Sequence, residues 1–160
     1  MKTYRFAPIA AREYPTLSIL DNPYVWGGVG FCLNVSEKPY SPEILEALKG
    51  KGIEWRHIPV SETDFSVSWA GALHYGIREL AEAHSDGKMI IVHCDFGNNR
   101  SRTFIEAFHL FLTGKELLDE YKGEINHLAY NCRIGHLASL EEEEANILSL
   151  RRVTSDSPRD

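Results

Sequence analysis

A cysteine and an arginine stand six positions apart in residues 93–101, with a glycine between them. The thiolate of Cys94 would be a nucleophile, and the planar guanidinium of Arg100 can grip two oxygens of a phosphoryl group. Gly97 can adopt backbone conformations closed to other residues, which suits a tight loop. These residue types at this spacing predict a loop that binds phosphate with a nucleophile beneath it.

The segments on either side of this loop predict how it is held. The apolar run 89–92 predicts a buried strand, and apolar residues recur at helical spacing afterwards, at Phe104, Ile105, Phe108 and Leu112. A loop that curls from a strand into a helix N-terminus points its backbone N–H groups inward, where the helix dipole adds positive charge. We therefore expect the pKa of Cys94 to fall from about 8.5 toward roughly 3.5–7.5. Ser101 can donate a hydrogen bond to the thiolate.

The order of the remaining segments predicts the fold class. Strands are expected at 31–35, 53–58 and 89–92, with a short strand at 17–20, and a long helix at 67–84. Another helix should begin at Pro42, capped by Ser41. Strands that alternate with helices indicate an α/β fold, with a mostly parallel sheet of four to five strands covered by helices on both faces. Active sites in such sheets lie at the carboxyl ends of strands, where Cys94 is expected.

The pattern of the last third of the chain predicts helices. One helix should follow Arg100, a second should begin after 113–114, and 139–142 has the pattern of a capping box. At 160 residues we expect one domain over 1–153, with a polar, frayed tail at 154–160.

Composition narrows the classes of function. The net charge of −6 disfavours binding to nucleic acid or to an anionic membrane, and no apolar run has the length of about 18 that a membrane span needs. Three cysteines without framework spacing and no visible signal peptide predict a reducing, cytoplasmic setting. The histidines show no metal-ligand spacing, so we expect no metal and no cofactor. We expect a monomer.

The loop resembles the signature H-C-x-x-G-x-x-R-[ST] of the cysteine-dependent protein tyrosine phosphatase superfamily. Five residues fill the specified positions: His93, Cys94, Gly97, Arg100 and Ser101. The resemblance implies hydrolysis of phosphate monoesters through a phosphocysteine, with Cys94, Arg100 and Ser101 in catalysis. It also implies that the loop binds the phosphate, with His93 as a hydrogen-bonding support behind it. The loop positions are Asp95, Phe96, Gly97, Asn98, Asn99 and Arg100.

The region 31–112 is similar to the compact, dual-specificity branch of that superfamily. Its order of features is strand, helix, strand, acidic loop, long helix and cysteine loop, and here the two strand ends read Leu-Asn-Val at 33–35 and Ile-Pro-Val at 58–60. In the family an aspartate about thirty residues before the cysteine protonates the leaving oxygen, a position that Asp64 occupies. Glu62 is the competing candidate, and Asp64 could instead serve only as the N-cap of the next helix.

The residues at the variable positions of the loop indicate which substrates are favoured. Relatives selective for phosphoinositides usually carry lysines there, so the negative charge of Asp95 argues against inositol phospholipids. The Gly-x-Asn-Arg pattern at 97–100 also resembles the RNA 5′-triphosphatase branch, although Phe96 and Ser101 stand where that branch has histidine and threonine. We favour a phosphorylated protein as partner, through phosphotyrosine with or without phosphoserine and phosphothreonine. Small phosphate esters, RNA 5′-triphosphates and a non-catalytic phosphate-binding module stay open.

Cys32 offers one regulatory alternative. It lies on a strand predicted to neighbour that of Cys94, so it is either a partner for a disulfide with Cys94 under oxidation or a buried core cysteine. Small buried thiols are common in cores, which favours the core interpretation.

Overall fold

The computed structural model describes residues 2–4, 6–61, 68–97 and 99–113. Within these ranges the chain alternates strands and helices. The elements, in chain order, are β1 Lys2–Thr3, β2 Ile9–Arg12, α1 Leu17–Leu20, α2 Pro23–Trp26, β3 Val29–Asn34, α3 Pro42–Gly50, β4 Glu54–His57, α4 Ser68–Ser85, β5 Met89–His93 and α5 Arg100–Thr113.

The described strands form one sheet in the order β1-β2-β5-β3-β4. Strands β2, β5, β3 and β4 are parallel, and β1 pairs with β2 in the antiparallel sense. The predicted α/β class with a mostly parallel sheet is thereby confirmed. The crossovers from β3 to β4 and from β4 to β5 run in opposite directions, which places their helices α3 and α4 on opposite faces. Strand β5 lies at the centre, so its carboxyl end is flanked by β2 and β3.

Two apolar clusters cover the two faces of the sheet. One joins the sheet to α4 and α5, with Ile77 and Phe104 fully buried in it. The other joins the opposite face to α1, α2 and α3, and it includes Trp26 and Leu48. Successive strand side chains point to opposite faces, as the pleat requires. Strands β2, β3 and β5 are therefore largely buried on both sides, as expected for parallel strands, whereas the edge strand β4 is mostly exposed.

Local signals explain where the helices begin. The side chain of Ser41 accepts a hydrogen bond from the backbone N–H of Ile44, and Pro42 occupies the first helical turn, as predicted. The prediction of a strand at 17–20 was wrong, because Thr16 caps a helical turn there by accepting from the N–H of Ile19 at 3.1 Å. A short apolar run does not by itself distinguish a strand from a helix.

The other predicted elements agree with the structure to within about two residues. The strands at 31–35, 53–58 and 89–92 correspond to β3, β4 and β5, and the helix at 67–84 corresponds to α4. Strands β1 and β2 were not predicted. The helix after 113–114, the capping box at 139–142 and the tail at 154–160 lie outside the described residues. Among the described helices, none combines the length and the hydropathy that crossing a bilayer requires.

Candidate active site

The cysteine loop lies between the end of β5 at His93 and the start of α5 at Arg100, at the carboxyl edge of the parallel strands. Cys94 is buried, with 3% of its surface exposed. The carbonyl of Asn99 accepts the first hydrogen bond of α5, from the N–H of Thr103 at 3.1 Å. The strand, loop and helix N-terminus predicted from the sequence are thus present, and they bring the thiol to an anion-binding position.

The surroundings of the Cys94 thiol favour its ionised form. The N–H of Gly97 donates to Sγ at 3.3 Å, and Sγ lies 3.5 Å from the hydroxyl oxygen of Ser101. Burial opposes ionisation, but hydrogen bonds from the side chain and backbone of Ser101, the Gly97 N–H and the charge of Arg100 together lower the pKa of Cys94. The direction agrees with the expectation from the sequence. A thiolate in such a nest is poised to attack an electrophile.

The fold around Gly97 explains why the loop requires glycine there. Its φ of +75° lies in the left-handed region, which side chains with a Cβ rarely adopt. A Cβ at this position would also lie 2.7 Å from the carbonyl oxygen of Arg12. In the same segment, the N–H of Tyr14 donates to the carbonyl of Asp95 at 3.1 Å. The connection from β2 to α1 therefore packs directly against the loop and supports it.

The guanidinium of Arg100 is held from two sides inside the site. Its Nη1 donates to the carbonyl of Val60 at 2.8 Å, and its Nη2 donates to the Oδ2 of Asp95 at 2.9 Å. Nε has no hydrogen-bond partner among the described residues, although the side chain is only 3% exposed. A buried donor without a partner is costly, and an anion that enters the loop would satisfy it.

A buried hydrogen-bonded chain supports the loop from behind. The ring of His93 lies with Nδ1 3.3 Å from the carbonyl of Cys94 and Nε2 2.5 Å from the hydroxyl of Tyr40. Burial is the main reason that the pKa of His93 falls to about 4, so the ring is neutral near pH 7. A carbonyl only accepts, so Nδ1 carries the proton and Nε2 accepts from Tyr40. The Tyr40 oxygen can in turn accept from the thiol of Cys32, 3.3 Å away.

The neutral state of His93 predicts a loss of stability in acid. Its folded pKa of about 4 lies below the ordinary value of 6.5, so between these two values the unfolded chain binds more protons and stability falls as the pH falls. From about pH 7 to about pH 4.5, His93 should remove about 2–3 kcal/mol from the free energy of unfolding. Urea unfolding at both pH values should show this extra loss in the wild type and not in His93→Gln. Equal losses in the two proteins would mean that the folded state accepts a charged His93.

The structure brings together most of the residues predicted for the site. Gly97 and Ser101 contact the thiol of Cys94, Arg100 is near enough for its charge to lower the pKa of that thiol, and the ring of His93 contacts the carbonyl of Cys94. Asn99 is buried at the start of α5, whereas Phe96 is 74% exposed at the loop's surface. The predicted acids Asp64 and Glu62, and the loop residue Asn98, lie outside the described residues.

Cys32 is a core residue, and the structure places it away from Cys94. It pairs with Ile91 in the sheet, and both belong to the cluster on the face that carries α3. Cys94 belongs to the cluster on the opposite face. The sheet therefore stands between the two thiols, and a disulfide between them would require the fold to rearrange.

The sequence did not reveal the contacts that come from distant segments. Val60 belongs to the Ile-Pro-Val stretch at 58–60. That stretch indicated the end of a strand, but nothing in it predicted a contact between the Val60 carbonyl and Arg100. Tyr40 directly precedes the helix cap Ser41, and nothing in the sequence predicted its contact with His93. The backbone of Arg12 and Tyr14 supports the loop through main-chain contacts, which almost any residue type could make. No pattern in the sequence predicts such contacts.

Comparisons with known proteins agree with the motif and the fold. The tyrosine-protein phosphatase MSG5 of Saccharomyces cerevisiae is 35% identical over 80 residues, which are 50% of this chain and 15% of that protein. No family model matches the chain. The crystal structure of DUSP15 superposes with a TM-score of 0.70 at 20% identity, covering 98% of this chain and 96% of that one. The crystal structure of PTPMT1 in complex with PI(5)P gives 0.64 at 17% identity, covering 91% and 96%.

The structural neighbours share the fold, and the yeast phosphatase shares sequence over half of this chain. The chain spans only a small part of the yeast protein's length. In its cysteine motif and in its fold, the chain is similar to the cysteine-dependent protein tyrosine phosphatase superfamily, and within it to the compact, dual-specificity phosphatase-like branch.

Proposed function

We propose that this chain is a phosphatase that hydrolyses phosphate monoesters, phosphotyrosine foremost, through a phosphocysteine. One observation carries the proposal: the buried thiol of Cys94 accepts the N–H of Gly97 beside a buried Arg100 whose Nε has no partner among the described residues. The N–H groups of the loop and an arginine with an available donor match a phosphoryl group in charge and shape, and the thiolate beside them can attack its phosphorus. The similarity to the yeast tyrosine phosphatase supports the same activity.

The first step forms a bond between the Cys94 sulfur and phosphorus. The bond from phosphorus to the leaving oxygen breaks, and Asp64 gives that oxygen its proton. The N–H groups of the loop and the guanidinium of Arg100 stabilise the negative charge on the equatorial oxygens. The products are the free alcohol and a phosphocysteine.

The second step restores the enzyme. Asp64, now a carboxylate, takes a proton from a water molecule as its oxygen attacks phosphorus, and the bond between sulfur and phosphorus breaks. The electron pair returns to Cys94, where Ser101 and the N–H of Gly97 stabilise the thiolate as a leaving group. Inorganic phosphate is released. Since the nucleophile must stay reduced, we place the protein in the cytoplasm, with a phosphorylated protein or a small phosphate ester as partner.

The contact of Val60 with Arg100 supports the role of Asp64. Val60 is buried, and its carbonyl lies 2.8 Å from Nη1 of Arg100. Asp64 follows Val60 by only four positions in the sequence. This short separation supports Asp64 as the acid.

Turnover of p-nitrophenyl phosphate at mildly acidic pH, with a thiol reductant present, tests the proposed reaction. Release of nitrophenol by the wild type and its absence in Cys94→Ser support the phosphatase. Phosphate binding without turnover would instead support the non-catalytic binding module.

The acid role of Asp64 predicts a dependence on the leaving group. Asp64→Asn should lower kcat about 10²–10⁴-fold on phenyl phosphate, whose leaving oxygen needs a proton. The loss should be much smaller on p-nitrophenyl phosphate, whose leaving group departs more easily unprotonated. Steady-state kinetics on the two esters measures the ratio, with Glu62→Gln as the matched variant. An equal loss on both esters would exclude Asp64, and a leaving-group dependence seen only in Glu62→Gln would transfer the role to Glu62.

A further inference from the structure

We propose that Asp95 selects isolated phosphate monoesters against ligands that carry a second phosphate beside the first, and that the same carboxylate orients Arg100. This inference rests on the proposed phosphatase function and names the substrate class of that site. It concerns the loop residue directly after the nucleophile.

The ion pair between Asp95 and Arg100 joins a buried side chain to a half-exposed one. Oδ2 of Asp95 lies 2.9 Å from Nη2 of Arg100. The arginine side chain is 3% exposed and the aspartate side chain is 47% exposed. The guanidinium is therefore buried, and the carboxylate that it contacts is half open to solvent.

Asp95 also limits how Arg100 can turn. Nη1 is bonded to the carbonyl of Val60 and Nη2 to Asp95, so the plane of the guanidinium is set by two protein oxygens. The donor at Nε is the one without a partner in the described part of the chain. The orientation leaves a defined donor for phosphate, which reduces the freedom lost on binding. The carbonyl of Asp95 is itself anchored by the N–H of Tyr14 at 3.1 Å, so the loop holds the carboxylate in place.

The charge of Asp95 discriminates by the number of phosphates. One phosphoryl group meets the loop N–H groups and Arg100 inside the site. A second phosphate attached to the first would project outward, toward the half-exposed carboxylate, and two like charges at about 4 Å repel even in a high-dielectric environment. Diphosphates, triphosphates and neighbouring phosphates on an inositol ring share this chemistry. We expect the penalty to be about tenfold in affinity.

Inorganic phosphate and pyrophosphate are the two probes for this inference. Their dissociation constants are measured by isothermal titration calorimetry, which does not depend on turnover, on the wild type and three variants. In Asp95→Asn, which removes the charge and keeps an oxygen that accepts from Arg100, the ratio of the pyrophosphate constant to the phosphate constant should fall about tenfold. Asp95→Ala should show the same fall. Asp86→Asn, which removes a charge from the turn before β5, at the opposite end of that strand, should leave the ratio unchanged.

Turnover of p-nitrophenyl phosphate by the same variants tests the positioning role. Because the asparagine oxygen still accepts from Arg100, kcat should fall about tenfold further in Asp95→Ala than in Asp95→Asn. Equal values of kcat would overturn the positioning role. An unchanged affinity ratio in Asp95→Asn, or an equal gain in affinity for both anions, would overturn the selection role. A folded wild type without turnover would refute the proposed phosphatase instead, while the calorimetric ratio would still decide the selection by Asp95.

Discussion

Replacing Cys94 with serine should lower kcat on p-nitrophenyl phosphate by at least about 10⁴-fold. A serine hydroxyl stays protonated at the pH where the Cys94 thiol ionises, because its intrinsic pKa is far higher. The loop stabilises a thiolate through the N–H of Gly97 at 3.3 Å and through Ser101, and neither contact deprotonates an alcohol. Stopped-time assays of nitrophenol release, at high enzyme concentration, measure the residual rate.

Phosphate affinity separates this loss of chemistry from a loss of folding. Cys94→Ser should still bind inorganic phosphate, since Arg100 and the loop N–H groups remain. Cys32→Ser is the matched control, because it makes the same change at a buried cysteine on the opposite face of the sheet, where the new hydroxyl can still donate to Tyr40. It should keep kcat within severalfold of the wild type. Residual activity of Cys94→Ser above about one per cent would show that another group is the nucleophile.

Replacing Arg100 with lysine should lower kcat about 10³-fold, although the positive charge is kept. The guanidinium reaches the carbonyl of Val60 and the carboxylate of Asp95 at once while Nε stays available. A lysine ammonium is a single point and has no planar fork with which to make these contacts and hold two phosphoryl oxygens. In the transition state the three equatorial oxygens flatten toward one plane between the attacking and leaving atoms, a shape that the planar guanidinium fits better than it fits the bound ester, so kcat should fall more than KM rises.

Measured values of kcat and KM for Arg100→Lys decide whether the shape of the guanidinium matters. Arg56→Lys is the matched control, because Arg56 lies on β4 in a partly exposed ion pair with Glu79. Such surface pairs contribute little, so both kinetic constants should stay near those of the wild type. If Arg100→Lys kept more than about a tenth of the wild-type kcat, positive charge alone would account for the role of Arg100.

Elements whose signals lie close together in the chain were predicted well. Ser41 and Pro42 marked the start of α3 correctly, because capping involves neighbours a few residues away. The apolar run before Cys94 predicted β5, since a strand buried on both faces has no polar alternation. The prediction of a strand at 17–20 was wrong, because three apolar residues and one serine fit both periods and only the cap by Thr16 distinguishes them.

Strand β2 shows why some elements could not be predicted from the sequence. Its four residues carry no strong strand pattern, and it forms because the backbone of 9–12 pairs with 90–93, far along the chain. Such pairing depends on the order of strands in the sheet, which no local window contains. The same pairing carries Arg12 and Tyr14 to the cysteine loop.

The sequence by itself determined the chemistry of the loop. Cys94, Gly97, Arg100 and Ser101 lie within eight residues, so one strand end and one helix start are enough to bring them together. Only the tertiary structure decided how that loop is held. The carbonyl of Val60 accepts a hydrogen bond from Arg100 and so fixes its orientation, and Tyr40 makes a hydrogen bond with His93. The backbone of Arg12 occupies the space that a side chain at position 97 would need. These contacts join segments that are distant in the chain, and they follow from the packing of the sheet and its helices.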